Sequence, residues 1–178
     1  MDEIQLRQVD YVSVGALGEP GHRTFMVQGV KNDETISIVV EKYQIQTLSE
    51  QAIDFLDSLI EEFPDEAIAT PEDFEIAGKL IDIPASFRAQ SMSLEFDPET
   101  MQVILELRET PNDEDFEPEI INLIKESGHD HVAKLIMSRT QLRAMAVRGR
   151  EAVQAGREQC PLCQMPMNIS GHSCPRLN

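Results

Sequence analysis

All three cysteines of this chain, Cys160, Cys163 and Cys174, fall within its last nineteen residues, CPLCQMPMNISGHSCPRLN, together with His172. Thiolate sulfur and imidazole nitrogen are ligands that zinc takes in a tetrahedron, and cysteines spaced as in C-P-L-C reach one ion because the intervening turn folds them together. His172 and Cys174 supply a second, tighter pair, with Gly171 before it and Pro175 after it to make the turn. Four protein ligands close such a site and make it structural; three leave a position for water or an outside donor, and so for chemistry. A redox pair is the remaining reading. It needs a thiol of depressed pKa, typically where a helix starts after a strand, whereas this pair follows a helix. The segment has few large aliphatic residues, Met165, Met167, Ile169 and two leucines, so a metal is the expected source of its fold. The expected site is therefore a structural zinc at Cys160, Cys163, His172 and Cys174.

Two other groups of residues carry potential chemistry. In GALGEPGHRTF, Gly15, Gly18 and Gly21 recur every third residue and His22 and Arg23 follow. Backbone amides of such a loop can cradle an anion beside an arginine, which makes Gly18, Gly21, His22 and Arg23 a candidate ligand site. No helix follows, so neither the P-loop nor the dinucleotide fingerprint is met, and the plainer reading is a long hairpin loop. His129 and His131 flank Asp130 in ESGHDHVAK, a spacing that can hold a metal with acids of the NDEDFEPE stretch as oxygen donors; a polar turn is the simpler account. Nothing matches a nucleophile elbow, a zinc-protease helix or a kinase signature.

The ending CPLC, then a proline, then GH-x-CPR-x-N resembles the carboxyl terminus of an uncharacterised bacterial family of about this length. GALGEPGHRTF near the start and VVEKYQIQTL are similar to that family too, so the resemblance covers both ends of the chain and not its acidic middle. It implies a shape and a metal in the tail, and carries over no catalytic role. In that family a glycine follows the second cysteine and a proline stands at the position of Ile169; here Gln164 takes the place of the glycine. A glycine just after a metal knuckle often adopts positive φ, which other residues reach at a cost of roughly 1 kcal/mol.

The elements that must position these residues read as follows. Val9 to Val14, TFMVQGV and ISIVVE form three strands in meander order, with a turn at KNDE (31–34). Apolar residues at Ile45, Leu48, Ala52, Leu56, Leu59, Ile60 and Phe63 make one helical stripe that Pro64 ends. Thr47 and Glu50 fit a capping box at its start, and Gln44 fits equally inside the helix. PDEAIATPEDFEIAGKLIDIP reads as a connection that partly packs on the body. FRAQSMSLEFD and MQVILELRE are two further strands joined by a turn at Asp97 to Thr100, HVAKLIM is a third, and a helix runs from about Ser138 to Ala155. Three strands and a helix, twice, point to an internal duplication over about 1–64 and 85–156. EKYQIQTL and SRTQLRAM share a basic residue, then Gln44 or Gln141, then an apolar residue. The expected fold is α+β: an antiparallel sheet built from two β-β-β-α halves with helices on one face, residues 1–156, followed by a zinc-knuckle-like tail, residues 157–178.

A chain of 178 residues buries enough surface to fold as one principal domain. MDEIQLRQVD lacks the positive and apolar regions of a secretory signal, and no apolar run approaches the roughly 20 residues that span a bilayer. With an odd number of cysteines this favours the cytoplasm, reduced thiols and metal ligation over disulfides. The net charge is −17; six arginines against Glu151 and Glu158 make residues 139–178 net +4 and leave −21 on the rest. Such a field repels nucleic acid and anionic headgroups. The function expected is a cytoplasmic binding or adaptor protein whose stapled tail presents CPRLN to a protein partner, with no nucleic-acid or membrane partner. The alternative is an enzyme acting on a small anionic metabolite through Gly18 to Arg23. No feature of the sequence sets an oligomeric state.

Overall fold

The computed structural model describes residues 2–6, 8–64, 68–110, 131–156, 160–165, 167 and 172–177. They form eight strands, β1 (Asp2–Leu6), β2 (Tyr11–Leu17), β3 (Thr24–Lys31), β4 (Glu34–Val40), β5 (Phe87–Arg88), β6 (Ser91–Asp97), β7 (Gln102–Arg108) and β8 (His131–Met137). Three helices accompany them, α1 (Lys42–Ile60), α2 (Pro71–Ala77) and α3 (Arg139–Gln154). The class is α+β, and the two expected meanders, β2-β3-β4 and β6-β7-β8, are antiparallel throughout. The strand pattern in the sequence predicts one sheet; the structure has two, ordered β2-β3-β4-β5 and β1-β8-β7-β6.

The division arises from the short strand that precedes each meander. β1 runs parallel to β8, with Leu6 opposite Leu135, and β5 runs parallel to β4, with Phe87 opposite Ile38. FRAQSMSLEFD is thus two strands, of which the first joins the sheet of the other half. Each half covers one edge of its neighbour's sheet and removes a row of unpaired backbone groups there.

The junctions repeat bond for bond. Val9 N–H donates to Ile136 O at 2.8 Å, as Ala89 N–H does to Val39 O at 2.9 Å; Asp10 N–H donates to Val30 O at 2.8 Å, as Gln90 N–H does to Arg108 O at 2.7 Å. The helix starts repeat as well. Gln44 accepts from the N-cap amide of Glu41 at 2.7 Å, and Gln141 from that of Ser138 at 2.9 Å. The other end of each amide crosses to the opposite half: Gln44 donates to Ala89 O and Gln90 O, Gln141 to Val9 O and Asp10 O. The match between EKYQIQTL and SRTQLRAM therefore records a shared hydrogen-bond duty. It also places the start of α1 at Glu41 rather than Thr47, because Gln44 satisfies the cap and two carbonyls at once.

Val27, Ile38, Leu105, Leu135 and Met137 from both sheets are fully buried with Ile45 and Leu56 of α1 and Leu142 of α3, in one apolar cluster. The sheets meet closely at Gly29, where a Cβ would lie 2.6 Å from Cδ2 of Leu135; the helices meet at Gly149, where a Cβ would lie 2.3 Å from Oγ of Ser49.

α2 lies in the stretch that the sequence presents as a connection partly packed on the body. Its seven residues are too few to show apolar periodicity, but Pro71 at the first turn and the reciprocal Thr70–Asp73 capping box specify it. Phe74 and Ala77 pack on Ala144 of α3, and Arg148 Nε donates to Phe74 O at 2.5 Å. The chain then crosses β2 and β3: Ser13 Oγ donates to Ile76 O, and Gln28 exchanges two bonds with the backbone of Ile81. The covered face carries Ser13, Gln28 and Ser37, all buried. The corresponding face of the other sheet carries Glu106, paired with Arg108 and Lys134 at 2.5 and 3.5 Å. Neutral groups with hydrogen-bond partners stand where the 76–81 stretch covers the first sheet, and paired charges stand on the matching face of the second, as desolvation costs require of each.

The Asp97 turn forms as expected, its carboxylate accepting from Thr100 Oγ1 at 2.7 Å and Glu99 N–H at 2.9 Å. The Thr100 hydroxyl and then the Glu99 amide hold this carboxyl below the ordinary aspartate value. A depressed carboxyl pKa adds stability that is present above the unfolded value, about 4, and is lost as pH falls through the folded one. Denaturant unfolding of Asp97→Asn against the parent chain should show a gap at pH 7 that narrows in acid; a constant gap would contradict this. His129, Asp130, NDEDFEPE and INLIKESG lie outside the described residues. Among the described residues, no helix is long and apolar enough to cross a membrane.

Candidate metal centre

The tail begins just beyond the C-cap of α3. Arg23, from the β2–β3 loop, donates to Ala155 O at 2.5 Å and so places a cation at the negative end of that helix. The C-P-L-C stretch then closes on itself: Gln164 N–H donates to Cys160 O at 2.8 Å, and Cys160 N–H to Met165 O at 2.9 Å. This brings the amides of Cys163 and Leu162 to the sulfur of Cys160, and these, in that order, hold its thiol below the ordinary value. At Cys163 the amide of Met165 acts in the same direction, but burial and the neighbouring Cys160 and Cys174 sulfurs outweigh it and push the thiol up. Amides aimed at sulfur stabilise the thiolates a metal needs.

Cys174 and His172 arrive from the second turn, where Leu177 N–H donates to Cys174 O at 3.0 Å and Arg176 Nη1 reaches back to Leu162 O at 2.6 Å. The Sγ atoms of Cys160 and Cys174 are 3.8 Å apart, and Cys163 Sγ is 3.2 Å from Nε2 of His172. The four donor atoms all lie within 4.8 Å of one another. Two sulfurs at about 2.3 Å from a tetrahedral zinc are themselves about 3.8 Å apart, whereas a disulfide requires about 2.05 Å. All three cysteines are free, and Cys160 and Cys174 are buried. The donor set thus fits a tetrahedral metal ion and not a disulfide, and four protein donors leave such an ion no open position.

Gln164 sits where the resembling family has glycine, and its φ is +60°. The left-handed conformation is reached here with a β-carbon present, and that is its cost. Gln164→Gly should stabilise the tail by about 1 kcal/mol, read as tighter zinc retention against a competing chelator. Equal retention would show that the loop carries no such strain.

The glycine loop is placed differently. Gly18 and Gly21 have φ of +97° and +101°, and a Cβ on Gly18 would meet His22 O at 2.9 Å, so glycine is needed to turn this hairpin. Gly18, Arg23 and Arg148 line one cavity of about 360 Å³, and Gly21, Arg23 and Lys42 another of about 220 Å³. Arg23 is bonded to Ala155 O and Arg148 to Phe74 O and Glu151. His131 opens β8, bonded through Nδ1 to Glu109 at 2.5 Å and stacked on Phe87. Sequence reasoning missed Arg176 as the residue that ties the two turns of the tail, since a long side chain reaching a distant carbonyl leaves no periodic trace. It also missed Arg23 as a helix cap.

No curated protein and no solved structure matches the chain. A family model does, over residues 4–174, which include every cysteine and the histidine of the candidate centre. The chain therefore belongs to the family described as "Protein of unknown function (DUF3090)".

Proposed function

We propose that the protein is a cytoplasmic binding or adaptor protein whose tail is folded by one structural zinc. The observation that carries this is the closed donor set: Cys160, Cys163, His172 and Cys174 converge within 4.8 Å. Four such ligands saturate a zinc ion, so its role is to hold shape rather than to activate water. On this reading residues 1–156 form one body of two duplicated halves, about 1–64 and 85–156, and residues 157–178 form a separate metal-stapled unit. Leu162, Met165 and Leu177 are exposed and give that unit an apolar surface for a protein partner. Affinity capture with the zinc-loaded chain, compared with a chain ending at residue 156 and with Leu162→Ser/Leu177→Ser, should lose the same partner in both variants. An unchanged set of captured proteins would sink the adaptor role.

A second reading rests on the cavity that Gly18, Arg23 and Arg148 line, which would suit a small anion. Calorimetric titration with inorganic phosphate would support it through binding that Arg23→Ala abolishes; no heat of binding would remove it.

A further inference from the structure

The repeat within the body exposes a groove whose internal counterpart is filled. Gln44, Ile45, Leu48 and Ala52 of α1 stand in the same order as Gln141, Leu142, Met145 and Gly149 of α3, and the meanders pair in the same register. By that correspondence Thr47 and Gln51 match Ala144 and Arg148, and Met92, Ser93 and Leu94 match Val12, Ser13 and Val14. Around Ala144, Arg148 and Ser13 lies α2, held by the Arg148 bond to Phe74 O and the Ser13 bond to Ile76 O. Thr47, Gln51, Phe55, Met92, Ser93 and Leu94 instead line a mostly apolar groove of about 230 Å³. Ser13 is fully buried beneath its cover, whereas Ser93 and Gln51 are exposed. Among the described residues nothing occupies the position that α2 takes in the other half.

We infer that this groove between α1 and β6 docks a short helical segment of a partner protein, apolar on its inner face and basic on its outer one. Charge argues the second property. In the filled groove Arg148 of α3 meets α2 at the carbonyl of Phe74 and pairs its charge with Glu151 of its own helix, while α2 carries Glu72, Asp73 and Glu75. The open groove is built on α1, where Glu50 and Asp54 flank Gln51 and are exposed, with exposed Glu95 beside Leu94 on β6. An occupant complementary to that rim is cationic. Its main chain has two donors waiting, since Gln51 and Ser93 can give to carbonyls as Arg148 and Ser13 do. This surface is distinct from the metal tail, and its test does not depend on the tail's role.

The probe is a synthetic peptide of residues 68–82 of this chain carrying Glu72→Lys and Glu75→Lys, both at exposed positions of α2, with the unaltered peptide as control. Titrated into the full isotope-labelled chain, the basic peptide should give saturable amide shifts centred on Thr47, Gln51, Phe55 and Ser93. The unaltered peptide should bind about ten-fold more weakly, and Thr47→Lys/Gln51→Lys, at exposed positions, should lose basic-peptide binding without change in unfolding temperature. No saturable shift, equal binding of the two peptides, or shifts centred on α3 and β2 would overturn the inference.

Discussion

A chain carrying Cys160→Ser and Cys163→Ser is expected to lose its metal and the two turns that carry Cys160, Cys163, His172 and Cys174, while the body unfolds at an unchanged temperature. Zinc binding supplies on the order of 10–16 kcal/mol in small metal-folded units at neutral pH. The tail has nothing of that size to replace it. Its buried residues among those described are Cys160 and Cys174, and its described backbone bonds, Gln164 to Cys160, Cys160 to Met165 and Leu177 to Cys174, close two short turns. The body draws its stability elsewhere, from the cluster shared by both sheets and by α1 and α3. Limited proteolysis should therefore cut the variant within the tail and release a stable fragment of the body, and chelation of the parent chain should give the same fragment. Equal resistance of the tail in both chains would contradict a metal-dependent fold.

Gly29→Val should destabilise the body strongly. Its added methyl groups would meet Leu135, a residue with no exposed surface, at a point where Cβ alone would already lie 2.6 Å from Cδ2 and 3.4 Å from Cγ. Overpacking of a close-packed interior of this kind costs about 3 kcal/mol, which lowers the melting temperature of a domain this size by about 6–12 °C. The cause is tested by a double-mutant cycle. Leu135→Ala alone should cost about 2–5 kcal/mol through its cavity, and in the double variant the two losses should partly cancel. Strict additivity would place the damage elsewhere than at the contact between the sheets.

Much of this architecture is legible in the sequence because it is local. Alternation in SMSLEFD, the continuous apolar run in ISIVV and the cap at Ser138 each write their element into neighbouring residues. What was not legible is long-range. Phe87–Arg88 looks continuous with β6, and only its partner, β4, shows that it belongs to the other sheet. β1 reads as an acidic terminus until β8 is there to receive it. Gln44 and Gln141 mark the repeat in sequence, but their second duty, to carbonyls of the opposite half, appears only when the halves are assembled. The candidate metal ligands are legible for the same reason that strands are: types and spacing within nineteen residues suffice to bring them together. Arg176 shows the limit, since its carbonyl partner is set by how the two turns fold on one another.

The central claim is that the tail is a closed, metal-folded unit. Elemental analysis of the full chain, purified reduced and without chelator or metal-affinity resin, tests it most directly. The account predicts about one zinc per chain, absent from Cys160→Ser/Cys163→Ser, with an X-ray absorption signature of three sulfurs and one nitrogen. A parent chain that carries no metal and resists added zinc, yet keeps its tail as protected from protease as before, would contradict it.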